Sequence, residues 1–114
     1  MIHYMKLFAQ PFEQIQTGKK TIELRLNDEK RQKIAVGDTI VFSCVNSEKT
    51  LTAKVLDVHR FPTFRELYKA LPLDKCGYLP WEIADAKAED MYAYYTFEQE
   101  KTYGVLGIEL VVEK

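Results

Sequence analysis

The chain has 114 residues, of which 46% are hydrophobic and 29% charged, and its formal net charge at neutral pH is −1. A charge this close to zero excludes a protein that coats nucleic acid by bulk positive charge. No stretch approaches the ~20 apolar residues of a membrane span, and the N-terminus lacks the pattern of a signal peptide. A chain of this length supports one hydrophobic core, so we expect a single domain over residues 1–114.

The first third of the chain predicts a strand, a short helix and a second strand. The first strand covers 2–8, the helix covers 10–17 with Gly18 just past its end, and the second strand covers 20–26. Polar and aliphatic side chains alternate along the second strand, so one set faces the core and the other faces outward or into a cleft. The aliphatic set is Ile22, Leu24 and Leu26, and the polar set is Thr21, Glu23 and Arg25.

The rest of the chain predicts a hairpin, two helices and a closing strand. The hairpin joins strands 39–45 and 50–60, and the alternation of the second strand breaks down near His59, which predicts a bulge there. Thr63 caps the start of the next helix. The remaining predicted elements are an ordered aromatic loop over 72–82, a helix over 84–95, a capped turn over 96–99 and a strand over 103–112.

This order of elements predicts an α+β fold. A β-α-β unit, a hairpin, two helices and a last strand suit a mostly antiparallel sheet that curls toward a small β-barrel flanked by two to three helices. Closure toward a barrel would also protect the edges of several short strands.

The cysteines and histidines indicate a reduced protein without a metal centre. Neither Cys44 nor Cys76 belongs to a C-x-x-C pair, and Cys44 stands among apolar residues, where a buried thiol is the commoner arrangement. His3 and His59 lack metal-ligand spacing, and we interpret both as structural or surface residues. We therefore predict a cytoplasmic protein with no metal and no cofactor.

The charged residues are distributed unevenly along the chain, although the net charge is close to zero. Residues 19–33 carry six basic and three acidic side chains, whereas residues 82–100 carry one basic and six acidic ones. Two solvated faces would explain this pattern. The alternative is a small site for an anionic ligand, since the basic segment is too short for a long nucleic-acid track.

Four segments of the chain resemble the ASCH domain family, which is part of the PUA-like group of small β-barrels. They are the G-x-K-x-x-E-x-R segment 18–25, the strand entry 36–42, the Tyr94-Tyr95-Thr96 element and the Y-G-V-x-G-I element 103–108. The resemblance implies a PUA-like barrel with a cleft that holds Lys20, Glu23 and Arg25. It also implies RNA or a nucleotide- or nucleoside-like molecule as partner. Some small ASCH proteins are amidohydrolases that remove the acetyl group from N4-acetylcytidine.

The chain departs from those amidohydrolases at one position. Their nucleophile is a threonine, and Glu23 stands in its place. A carboxylate does not take over the attack of a hydroxyl on an amide, but it can act as a base for water. Thr21 shares the predicted face, about 6.6 Å further along the strand. The resemblance also implies an acidic helper before the last helix. Glu82 and Asp85 are both candidates for it, and we take Lys20, Glu23 and Glu82 as the candidate catalytic set.

The three charged residues of the second strand suit a ligand in complementary ways. Lys20 supplies a compact charge for a phosphate or an oxyanion. Glu23 accepts hydrogen bonds from an amino group or orients a water molecule, and Arg25 offers a planar fork to a phosphate or a carbonyl. The alternative interpretation is an exposed network of ion pairs that contributes little to stability.

Several aromatic residues lie in the C-terminal half of the chain, where their rings could stack with a base of the ligand. A base that stacks on an aromatic ring gains ~1–3 kcal/mol. Tyr78 and Trp81, in the loop beside Pro80, are our candidates for the rim of the cleft, whereas we expect Tyr95 and Phe97 to be core residues.

Two functions of different classes remain open at this point. The first is a binding module that recognises RNA or a nucleotide-like ligand through Lys20, Thr21, Glu23, Arg25, Tyr78 and Trp81. The second is a small hydrolase of acylated nucleosides, in which Lys20 and an acidic residue assist the attack of water. The missing threonine favours binding, whereas the small size of the chain favours an independent enzyme. The sequence leaves the oligomeric state open.

Overall fold

The computed structural model describes residues 1–113, and Lys114 lies outside the described residues. Five strands and three α-helices are present in this part of the chain. The strands are β1 (Ile2–Leu7), β2 (Ile22–Leu26), β3 (Thr39–Cys44), β4 (Thr50–Phe61) and β5 (Val105–Val112), and the α-helices are α1 (Ala9–Gln16), α2 (Phe64–Ala70) and α3 (Phe97–Tyr103). Short 3₁₀ turns cover Arg31–Lys33, Leu73–Cys76, Ile83–Asp85 and Ala88–Ala93.

The strands form one curled, mixed sheet in the order β1-β3-β4-β5-β2. β1 runs parallel to β3, and every other neighbouring pair is antiparallel. The predicted α+β class with a mostly antiparallel, barrel-like sheet is therefore confirmed. The parallel pair is possible because α1 and β2 lie between β1 and β3 in the sequence and provide the crossover that parallel strands need.

Alternation along the strands divides the core between the two faces of the sheet. On β5, Leu106, Ile108 and Leu110 pack with β1, β3, β4 and α1, whereas Val105 packs with β2 and α2. Phe42 and Phe64 are the largest side chains without exposed surface, one in each of these clusters. Because successive residues of a strand point to opposite faces, β5 serves both clusters at once.

Side chains bridge the two edge strands of the half-barrel. β1 and β2 stand at opposite ends of the sheet order and share no ladder. Arg25 on β2 donates to the carbonyl of Lys6 on β1 over 2.7 Å, and Lys30 donates to the carbonyl of Tyr4 over 2.8 Å. These bonds satisfy backbone acceptors that an edge strand otherwise leaves unpaired.

The segment predicted as a helix over 84–95 folds instead as two 3₁₀ turns, Ile83–Asp85 and Ala88–Ala93. Ala86 and Lys87 take extended backbone angles between them. The carboxylate of Asp90 accepts a hydrogen bond from the backbone N–H of Lys87 over 3.2 Å, which caps a new turn at that point. Aspartate side chains compete in this way with a continuous helix.

Three smaller expectations have different outcomes. The predicted capped turn at Thr96 begins a full helix, α3, through a reciprocal capping box with Gln99. The irregularity predicted near His59 lies earlier in β4, between Val55 and Asp57. Phe97 is not a core residue as we expected, because its side chain is 63% exposed on the first turn of α3.

Among residues 1–113, no helix combines the length and the apolar character needed to cross a membrane.

Candidate functional site

A cavity of about 390 Å³ opens beside β2. Its wall comes from the end of β1, from α1, from β2, from α2 and from the turns that precede α3. Charged, aromatic and aliphatic side chains all line it. Sites for small molecules typically enclose ~300–1,000 Å³ and combine apolar walls with a few placed polar groups, so this cavity has the character of a compact ligand site.

The charged side chains of β2 meet inside this cavity. Glu23 is only 3% exposed. Its Oε1 lies 2.8 Å from the Nζ of Lys20, and its Oε2 lies 2.7 Å from the Nε of Arg25. The predicted cluster of opposite charges is therefore a network that lines a concave surface. One carboxylate between two cations leaves this part of the wall with a net positive charge.

Two local features position Lys20. After α1 ends, the backbone N–H of Lys20 donates to the carbonyl of Gln14 over 3.0 Å, which turns the chain back toward β2. Gly77 then passes close to the lysine stem with a φ of 104°. A Cβ atom at Gly77 would lie 3.2 Å from the Cδ of Lys20 and 3.3 Å from the Oε1 of Gln14. Glycine supplies both the left-handed backbone and the space that this close approach requires.

The two cations keep the buried carboxylate ionised. Burial alone would raise the pKa of Glu23, but the charges of Lys20 and Arg25 and their hydrogen bonds outweigh burial and hold that pKa below its usual range. Burial likewise would lower the pKa of Arg25, and the charge of Glu23 reverses this effect and raises it. A carboxylate with a low pKa is a weak general base at neutral pH, so Glu23 is better suited to hold its neighbours than to take a proton.

A second polar cluster lies on the same cavity wall. The hydroxyl of Tyr78 donates to the Oδ2 of Asp90 over 2.8 Å, and it lies 2.7 Å from the hydroxyl of Tyr68. Burial is the main reason that the pKa of Tyr68 rises to about 12 and that the pKa of Tyr78 also rises. Both phenols therefore keep their protons at neutral pH. The sequence pattern did not mark Tyr68 or Asp90 as site residues, because one shares the apolar face of α2 and the other stands in a run of acidic residues.

The other predicted site residues divide between cavity and surface. Glu82 lines the cavity, and its Oε1 accepts a hydrogen bond from the backbone N–H of Leu79 over 2.8 Å. Thr21 lines a separate crevice of about 190 Å³, and its backbone N–H donates to the carbonyl of Lys75. Trp81 is 75% exposed and does not line the cavity, and neither does Asp85. The hydroxyl of Thr21 is therefore not part of the cavity wall.

Two aromatic side chains at the cavity were not among the predicted rim residues. Phe8 is 63% exposed and Tyr94 is 66% exposed, and both line the cavity. Side chains that reach both solvent and the cavity stand at its rim. Tyr95, which we expected in the core, packs against the β2 and α2 cluster and also reaches the cavity. Sequence spacing alone cannot separate a rim aromatic from a core aromatic.

Both histidines lie outside the cavity and make hydrogen bonds to carboxylates. The Nε2 of His3 lies 2.8 Å from the Oδ2 of Asp38, and that of His59 lies 2.9 Å from the Oε1 of Glu109. The hydrogen bond with His3 is the main reason that the pKa of Asp38 falls to about 2. Within the part of the chain that the structure describes, no three His, Cys, Asp or Glu side chains are grouped so that they could hold a metal ion.

Comparison with known proteins places these observations in a family. The model of the ASCH domain matches residues 5–113. The hypothetical protein PH0355 is 33% identical, with a TM-score of 0.82 over 99% of this chain and 100% of that chain. Protein PF0455 from Pyrococcus furiosus is also 33% identical, with a TM-score of 0.71 over 100% of this chain and 99% of that chain.

A more distant structure shares the fold. A single-site variant of the ASCH protein from Zymomonas mobilis is 12% identical, with a TM-score of 0.67 over 96% of this chain and 68% of that chain. No curated protein matches the sequence.

Proposed function

The chain belongs to the ASCH domain family, and from this premise we propose that it binds RNA or a nucleotide- or nucleoside-like ligand in the cavity beside β2. The observation that carries the proposal is the buried carboxylate of Glu23, which holds Lys20 and Arg25 at the wall of a concave site. A buried charge network with no role beyond stability would contribute little net free energy of folding, since the desolvation of its charges offsets much of their attraction.

The size of the cavity supports a ligand of one nucleoside unit. A volume of about 390 Å³ is near the lower end of the range for small-molecule sites. It has room for a single base with its sugar, either as a free molecule or as one nucleotide of a strand that continues outside. A duplex or a long stacked strand would need a much longer surface.

The donors that remain at the wall suit an anionic or carbonyl-bearing ligand. Lys20 uses one of its three protons on Glu23, and Arg25 uses its Nε on Glu23 and one terminal nitrogen on Lys6. The other N–H groups of Lys20, and those of Arg25 that do not face Tyr95, are available to a phosphate or to the carbonyl edge of a base. Phe8 and Tyr94 at the rim supply faces on which a base can stack.

Hydrolysis of an acylated nucleoside is the second candidate. The observation in its favour is that Lys20 and Glu82 line the same cavity, which would provide a cation for an oxyanion and a carboxylate to orient water. The low pKa of Glu23 argues against that residue as the base. Binding without turnover therefore has the stronger support.

A titration monitored by NMR tests the binding proposal. Trp81 lies outside the cavity, so its fluorescence is a poor reporter and backbone amide shifts are preferable. We expect saturable shifts around β2 with nucleoside monophosphates or a short single-stranded RNA. Lys20→Ala should weaken binding by about tenfold or more, because a charge-assisted hydrogen bond is lost.

Lys19→Ala is the matched control for this titration. It removes the same charge one residue earlier, from an exposed side chain that does not line the cavity. Its affinity should stay within about twofold of the parent, since exposed charges contribute little. A weak dependence of affinity on salt would indicate a single nucleotide, and a steep one would indicate several phosphate contacts. The proposal is wrong if no nucleoside, nucleotide or RNA produces saturable shifts in a folded sample.

An assay of acyl-nucleoside hydrolysis decides between the two candidates. Release of cytidine from N4-acetylcytidine, lost in both Lys20→Ala and Glu82→Ala, would establish the hydrolase. Binding without release would leave the binding module as the function.

We extend the proposal to a single domain over residues 1–114 that acts in the cytoplasm. Cys44 and Cys76 are buried and unpaired, and burial raises the pKa of the Cys76 thiol to about 11. Two reactive thiols should therefore appear only after unfolding, in a protein prepared without reductant. A disulfide-linked product under those conditions would contradict the expected compartment.

A further inference from the structure

The hydrogen bonds that join Tyr68, Tyr78 and Asp90 have a direction. A carboxylate accepts hydrogen bonds and donates none, so the proton of the Tyr78 hydroxyl points to Asp90. The oxygen of Tyr78 must then accept the proton of Tyr68, 2.7 Å away. Both phenolic protons are thereby used within the cluster.

The atoms that this cluster leaves for a ligand are acceptors. The oxygen of Tyr68 retains its lone pairs, and the Oδ1 of Asp90 has no partner among the hydrogen bonds of the described residues, whereas Oδ2 accepts from Tyr78 and from the backbone of Lys87. All three side chains of the cluster line the cavity. A ligand group that meets Tyr68 and Asp90 therefore has to donate, because two acceptors face to face leave both unpaired.

The cavity therefore has one wall that presents hydrogen-bond donors and another wall that presents acceptors. β2 presents the donors of Lys20 and Arg25, and the Tyr68–Tyr78–Asp90 cluster presents acceptors. A ligand that satisfies both carries carbonyl or phosphate oxygens on one part and an amino or N–H group on another.

We propose that the cavity selects nucleobases that bear an exocyclic amino group, cytosine and adenine, over their oxo counterparts uracil and hypoxanthine, through the acceptors of Tyr68 and Asp90. This inference rests on the proposed function, and it adds the class of base that the site takes. Replacing the amino group by a carbonyl exchanges a donor for an acceptor at that position while the size of the base stays nearly the same, and it also converts the adjacent ring nitrogen from an acceptor into an N–H donor. The acceptor wall is thus a specificity determinant that is separate from the cations of β2.

Two matched ligand pairs test the proposal in the intact protein. Cytidine against uridine and adenosine against inosine each differ at the amino position and at the proton of the adjacent ring nitrogen, and their affinities can be compared by NMR titration or calorimetry. We expect the amino-bearing member of at least one pair to bind about tenfold more tightly, as a hydrogen bond to a charged acceptor requires.

Variants identify the atoms responsible. Asp90→Asn exchanges a carboxylate oxygen for an NH₂ donor and should abolish or reverse the preference. Tyr68→Phe removes one acceptor, leaves the Tyr78–Asp90 bond in place, and should reduce the preference several-fold. Asp74→Asn is the control, because Asp74 is exposed and does not line the cavity. If Asp90→Asn fails to fold, Tyr68→Phe decides the outcome.

The possible results separate this inference from the proposed function. Equal binding within each pair, or tighter binding of uridine and inosine, overturns the amino selectivity while binding itself stands. A preference that persists unchanged in both Asp90→Asn and Tyr68→Phe overturns the role of the acceptor wall. If none of the four nucleosides, none of the monophosphates and no short single-stranded RNA binds, both proposals are overturned.

Discussion

Removing the charge of Glu23 is the most direct test of the site, because this one carboxylate holds two cations. The variant Glu23→Gln keeps the shape of the side chain and leaves Lys20 and Arg25 facing a neutral amide. The side chains of Glu23, Lys20 and Arg25 are 4%, 11% and 14% exposed, so little of their interaction is screened by solvent. Breaking a buried ion pair from one side costs ~3–5 kcal/mol.

The side chains of Lys20 and Arg25 retain some solvent exposure, which places the expected loss near the lower end, about 3 kcal/mol in the free energy of unfolding. For a domain of this size, such a loss lowers Tm by roughly 10 °C. Urea denaturation and scanning calorimetry measure both quantities. Glu29→Gln is the control, because Glu29 is exposed and its replacement should change stability by less than about 0.5 kcal/mol.

The pH dependence of this difference has a definite sign. The folded pKa of Glu23 is lowered, so its contribution is present above the unfolded value of 4.5 and is lost as the pH falls below that value. The gap between parent and Glu23→Gln should therefore narrow in acid. The double variant Lys20→Met/Glu23→Gln should recover part of the loss, because it removes an unpaired buried cation. A loss under about 1 kcal/mol for Glu23→Gln, or a gap independent of pH, would refute the buried network.

Three further changes test the frame around the site. Gly104→Ala should lower the free energy of unfolding by ~1–3 kcal/mol, because φ is 73° there and the new Cβ would lie 2.9 Å from the carbonyl oxygen of Phe61. Urea denaturation measures this loss, and an unchanged midpoint would contradict the expected strain. Arg25→Lys keeps the charge but loses the guanidinium group that donates to the carbonyl of Lys6, so the free energy of unfolding should fall by ~1–2 kcal/mol. An unchanged free energy of unfolding would mean that this bond between the edge strands does not stabilise the fold. Asp38→Asn should lower Tm at neutral pH, and the difference should disappear between pH 3.8 and about 2, as thermal melts over that range would show.

The local patterns that predicted strands were reliable where one face is buried. Alternation along residues 20–26 separated the aliphatic set from Glu23 and Arg25, and the structure has β2 at Ile22–Leu26 with the aliphatic set in a hydrophobic cluster. The pattern succeeds because a period of two residues maps directly onto the two faces of a sheet. The same pattern could not tell an exposed ion-pair network from one that lines a cavity, since that difference depends on what packs opposite.

Aromatic and acidic residues in the C-terminal half were predicted less well. We expected Phe97 in the core and Trp81 at the rim of the cleft, yet both residues are mostly exposed and Trp81 does not line the cavity. The sequence shows Asp90 only as one of several acidic residues, yet its carboxylate caps a turn and accepts a hydrogen bond from the hydroxyl of Tyr78. These roles arise from contacts between α2, the loop after it and the following turn, and no local spacing encodes them.

Residue order alone was enough to establish the α+β class, the strand that carries Lys20, Glu23 and Arg25, and the capped starts of α2 and α3, because each depends on side chains within a few positions of one another. Packing decided the rest: the parallel β1–β3 pair, the bridge from Arg25 to Lys6, and the cavity where the cations of β2 meet the acceptors of Tyr68 and Asp90. Those features join residues far apart in the chain, and their geometry exists only once the two hydrophobic clusters hold the sheet and the helices together.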